Sequence, residues 1–215
     1  MINQFVRKAR KMFKAASSAK NVRSDYYYSR IYFKRMLQFF KSLNEAAANP
    51  VLKQTETAIS PLGLKFGITV QQVKKEFGKE KYSYENGNGP HNHRVLFYRR
   101  SYSDISLLVQ LQFYNNRLFF IGLDVIRRLI NEDEKAEIIN TVIQKYLHQP
   151  FTKGQAYPLI SDPNNNLIII NDDINFSICY LPGNLNPQTQ QNIEKAMDNV
   201  LQDEKPDKGS LFYAF

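Results

Sequence analysis

Few residues in this chain have the types and spacing that chemistry needs. His91 and His93 flank Asn92, and on a β-strand two rings two residues apart point to the same side, as ligation of one metal ion requires. No third ligand can be identified, and the Gly89-Pro90 turn just before them reads as a surface loop, so the sequence predicts no metal site. Asp162, Asp172 and Asp173 offer carboxylates for acid–base work or cation binding. Their settings, Asp162-Pro163-Asn164-Asn165-Asn166 and Asn171-Asp172-Asp173, are turn chemistry, in which Asp and Asn side chains bond their own backbone. Cys179, the single cysteine, stands between Ile178 and Tyr180 and reads as a small core residue. His148 is expected near the last carbonyls of a helix. Phosphate loops, GxSxG elbows, GxGxxG fingerprints and HExxH helices do not occur. The reading is therefore of a non-catalytic protein with no catalytic residues, no cofactor and no metal.

Charge is more informative. Of the 29 Lys and Arg in the chain, eleven lie between Met1 and Glu45 against two acids; beyond that point bases and acids balance, so the arm carries the whole net charge of +9. Ile2, Phe5, Val6, Ala9, Met12, Phe13 and Ala16 recur at helical spacing, with Arg7, Lys8, Arg10, Lys11 and Lys14 largely opposite them. That pattern predicts a basic amphipathic helix. Phe5 and Phe13 with those five cations are the candidate membrane- or partner-binding residues. A second helical stretch from about Ser24 to Leu43 carries Arg23, Tyr27, Tyr28, Arg30, Lys34 and Arg35 on it or at its start. Those cations and rings suit nucleic acid, with bases stacked on tyrosines and phosphates on the cations.

These side chains must be positioned by elements further along the chain. Thr69 to Phe77 predicts a short helix with Val70, Val73 and Phe77 on one side, a Thr69 cap and a Gly78 stop. Residues 94–100, 105–114 and 117–124 are rich in β-branched and aromatic residues; Asn115-Asn116 joins the last two as a tight hairpin. A second helix runs from about Asn131 to Leu147 and ends before Pro150. Strands follow near 157–161, 167–171 and 174–181, then a helix over about 187–201. The pattern is α+β: helices packed on an antiparallel sheet built from two helix–meander units, with an N-terminal helical arm. The expected layout is an arm over 1–49, a linker over 50–60, one domain over 61–201 made of units 61–130 and 131–201, and a tail over 202–215. No apolar run approaches the ~20 residues that cross a bilayer.

Phe66-Gly67-Ile68-Thr69-Val70-Gln71-Gln72-Val73-Lys74-Lys75-Glu76-Phe77-Gly78 resembles the opening helix of BamE/SmpA-like domains and of the related tandem domains of β-lactamase inhibitor proteins. Lys145-Tyr146 looks like a degenerate second copy, with Leu147 where a glycine is expected. The resemblance implies a layer of helices on an antiparallel sheet and action by binding other proteins. The lipid-bearing cysteine of the BamE group is absent, which argues against a role in outer-membrane assembly.

The expected function is a protein-binding or scaffolding module whose basic arm localises it to an anionic surface or partner; the alternative is a nucleic-acid-binding protein using the Tyr-rich arm. The expected partner is another protein, then an anionic membrane surface, then nucleic acid. The expected location is the cytoplasm, in part peripheral to a membrane.

Overall fold

The computed structural model describes residues 52–85, 92–102, 105–125, 130–172, 176–183, 185–186 and 188–195. The arm residues named above, from Phe5 to Arg35, lie outside that set, as do His91, Asp173, the end of the last helix and the tail.

Helix α1 spans Val70–Phe77. Its start is fixed by a reciprocal cap: Gln72 N donates to Thr69 Oγ1 at 3.3 Å and Thr69 N donates to Gln72 Oε1 at 2.8 Å. Its end is Gly78, at φ 77°, a conformation that costs glycine least. Helix α2, Glu132–Leu147, repeats the device. Asn131 Oδ1 accepts from Glu134 N at 2.8 Å, Asn131 N donates to Glu134 Oε2 at 3.0 Å, and three acids fill the first turn, where the dipole favours them. At its end, where the first helix has glycine, α2 runs one residue further. His148 takes the left-handed conformation (φ 52°) and donates its backbone N–H, not its ring, to Gln144 O.

The strands are β1 Leu52–Gln54, β2 Tyr82–Glu85, β3 His93–Tyr102, β4 Ile105–Tyr114, β5 Arg117–Val125, β6 Leu159–Ser161, β7 Leu167–Asp172 and β8 Phe176–Leu181. They form one sheet in the order β1-β6-β7-β8-β5-β4-β3-β2. Each helix is followed by its own meander, and the last strands of the two, β5 and β8, pair antiparallel at the centre. Asn115 and Asn116 (φ 48° and 60°) make the tight β4–β5 turn. Two expectations are corrected. Residues 52–60 are not a bare linker: β1 pairs with β6, and Thr55 and Ile59 beyond it are buried. Because β1 runs parallel to β6, the sheet is mixed rather than antiparallel. β2 went unpredicted.

Period-two alternation assigns the two faces. Leu96, Val109, Leu111, Ile121, Ile168 and Ile178 face the helices and join Val70 and Val73 of α1 and Ile139, Ile143 and Tyr146 of α2 in one core. Val95, Phe97, Phe119, Phe120 and Leu181 form a second cluster on the opposite face with Ile193, which belongs to a helical segment at 188–195. Polar contacts from both helices, and from the loop after α2, fasten this layer to the sheet. Arg100 donates to Phe77 O at 3.1 Å with its guanidinium 5.0 Å from the Phe77 ring. Lys135 Nζ pairs with Asp172 at 2.8 Å, and Tyr157 OH donates to the same carboxylate at 2.9 Å.

Candidate functional site

The two units meet at one end of the sheet, and a buried carboxylate holds the meeting point. Asp162, 4 % exposed, follows β6. Its Oδ1 accepts from Asn164 N (2.9 Å) and Asn166 N (2.8 Å), the turn bonds its sequence predicts. Its Oδ2 accepts from Asn166 Nδ2 (2.9 Å) and, across 103 residues, from Ile59 N (2.8 Å). Those four donors satisfy the charge and tie the loop before α1 to the β6–β7 turn. Asn166 Oδ1 in turn accepts from Gly183 N at 3.2 Å. Gly183 passes so close to that turn that an added Cβ would lie 2.0 Å from the Asn165 carbonyl oxygen.

The first unit supplies the opposite wall. Gly67 N donates to Leu118 O (2.8 Å), Leu118 N to Ile68 O (2.9 Å), and Arg117 Nη1 to Gly67 O (3.0 Å). This short zipper holds Lys65 and Phe66 beside the start of β5. Between the walls opens a cleft of about 710 Å³. Ile59, Leu118, Phe119 and Pro182 are the buried part of its lining, with Phe66 and Leu185 half-buried above them. Lys65, Arg117, Asn164 and Asn186 form an exposed polar rim. No His, Cys, Asp or Glu lines it among the described residues, so its chemistry is apolar contact, hydrogen bonding and attraction for anions. A smaller cleft of about 520 Å³ is bordered by Val70 and by the polar residues Gln71, Asn92, Arg94, Asn115 and Asn116.

The residues that drew notice in the sequence are not brought together. His93 is not in a surface loop: it opens β3, is 1 % exposed, and its Nε2 bonds Gln112 Oε1 at 2.9 Å, which places its proton on Nε2. Burial pushes its pKa down to about 4, although the bond to Gln112 works the other way, so the ring is neutral at pH 7. Asp172 is not a turn residue but the end of β7, ion-paired to α2. Cys179 lies half-buried on β8, on the face away from α1 and α2. Among the described residues no group of three or more His, Cys, Asp and Glu could hold a metal ion.

Sequence reasoning missed the residues that line the seam. Lys65 and Arg117 were ordinary surface cations, and Phe66 an ordinary helix-leader. Only the bonds between residues 67–68 and 117–118 make them neighbours, and only the second unit closes a cleft beside them. It also missed Gln110 and Gln112, buried on the face opposite the helices. Two Gln at alternate positions of an otherwise apolar strand were the available signal. Comparison with protein-family models, curated proteins and solved structures finds no match to this chain.

Proposed function

We propose that this chain is a non-catalytic protein-binding or scaffolding module that takes a partner into the seam cleft, while its basic arm localises it to an anionic surface or partner. The cleft carries the reading: a volume within the ~300–1,000 Å³ range of ligand sites, a buried apolar floor, a cationic and amide rim, and, among the described residues, no nucleophile–base pair in its lining. The likeness of residues 66–78 to BamE-like and β-lactamase-inhibitor domains points the same way. A test is affinity capture from native lysate with the wild type and Asn164→Trp, which places a bulky ring over the cleft. A partner retained equally by both does not use this surface.

For the arm, the apolar stripe through Phe5 and Phe13 motivates a reversible peripheral membrane contact on the cytoplasmic side. Among the described residues no helix is long and apolar enough to cross a membrane. Cosedimentation with anionic vesicles is expected for the wild type and not for Phe5→Glu with Phe13→Glu; equal binding by the double variant contradicts the anchor. The second reading is nucleic-acid binding through Arg23, Tyr27, Tyr28, Arg30, Lys34 and Arg35, favoured by the interleaved cations and rings. Salt separates nucleic acid from a protein partner. Phosphate contacts weaken steeply as salt rises and release counterions, whereas an apolar protein contact changes little.

A further inference from the structure

Lys65 and Arg117 are both exposed on the rim of the cleft, and neither has an ion-pair partner among the described residues. Arg117 spends one N–H of its five-donor fork on Gly67 O, which fixes the guanidinium and leaves other donors for a ligand. Among the described residues no acid lines the cleft, and the nearby Asp162 carboxylate is consumed by its four N–H donors. Two cations that no described acid neutralises, above an apolar floor, match a ligand that is anionic at one point and apolar beside it. Nucleic acid fits poorly, because its backbone calls for a track of cations with stacking faces, not two cations around a closed apolar floor. The Asn164 amide on the same rim offers a donor and an acceptor of the kind a peptide backbone uses.

Resting on the protein-binding reading above, we infer that the partner segment is a short peptide with an acidic side chain next to an aromatic or branched aliphatic one. The carboxylate lies against Lys65 and Arg117, where charge-assisted bonds to a fork fixed in advance give both strength and orientation. The apolar neighbour enters between Phe66, Phe119 and Leu185. Such a site discriminates by the pair of side chains and tolerates the rest of the sequence.

The test is a display library of short random peptides panned against the full chain, with the recovered sequences resynthesised with a fluorescein label. The expected result is enrichment of peptides pairing Asp or Glu with an aromatic or aliphatic residue. Their affinity should fall about tenfold or more for Lys65→Glu with Arg117→Gln, and binding should be blocked by Asn164→Trp. If Arg117→Gln lowers the urea midpoint, Lys65→Glu alone serves, with a smaller loss. Peptides that lack an acid yet are blocked by Asn164→Trp overturn this inference and leave the protein-binding reading intact. Recovery of no peptide that Asn164→Trp blocks overturns both. Self-association of the chain that the charge changes abolish makes a second copy the occupant and also overturns the peptide.

Discussion

The two helix–meander units share an order of elements but divide the labour at the seam. The first unit presents side chains to solvent there: Lys65, Phe66 and Arg117, held by backbone bonds between residues 67–68 and 118. The second builds the wall, through a carboxylate spent entirely on internal donors and a glycine pressed against a turn. A side chain whose bonds all point inward sets shape, and one whose donors remain exposed sets what the shape accepts. Substitutions in the second unit should therefore cost stability first, and those on the first unit's rim should cost binding with little loss of stability.

The largest loss is expected at Asp162. Asp162→Ala strands four N–H donors in or near a buried corner and should lower unfolding free energy by about 4 kcal/mol in urea titration. Asp162→Asn, which keeps an acceptor, should lose about half of that. Next is Gly183→Ala, whose new methyl meets backbone rather than a movable side chain. A loss of about 3 kcal/mol is expected, and an unchanged midpoint would contradict the close approach.

The first unit holds its own sensitive group behind the cleft lining, packed against Phe119. His93 has a folded-state pKa of about 4 against the usual 6.5. The unfolded chain therefore takes up the proton first as pH falls. The stability from burying the neutral ring is full above pH 6.5 and is lost progressively from 6.5 toward 4. Between pH 7 and pH 5 this amounts to about 2 kcal/mol, read as the difference in pH slope between wild type and His93→Gln. Equal slopes would place the ring in water. The smallest stability effect is expected at Gln110, 3 % exposed, whose Nε2 has no hydrogen-bond partner among the described residues. Gln110→Met removes an unpaired buried donor at similar volume and should raise the thermal midpoint, by no more than about 1 kcal/mol equivalent.

Locally encoded structure was legible in the sequence. Thr69 and Asn131 announce helix starts, and in the structure each closes a capping box, with Gln72 and Glu134 respectively. Asn115-Asn116 announces a hairpin because Asn tolerates the positive φ such a turn requires. The β-branched and aromatic content of β4 and β5 gave those strands to within a residue. What failed to show depends on distant partners. Leu52–Gln54 has no signal of its own and becomes a strand only because β6 lies alongside it. Asp162 reads as a turn residue from its neighbours, and nothing local reveals its bond to Ile59 N. His93 looked exposed because a Gly-Pro turn precedes it, yet its side chain is buried on the face opposite α1 and α2, against Gln112 and Phe119. The seam cleft is of this second kind, composed from four separate stretches that no sequence window contains.

That the seam is the working surface is tested most directly by hydrogen–deuterium exchange of the full chain, alone and saturated with a captured partner or a recovered peptide. Slowed exchange should concentrate in 58–67, 114–119 and 182–189, and Asn164→Trp should abolish it. Protection confined to the outer faces of α1 and α2, with the seam amides unchanged, would contradict it.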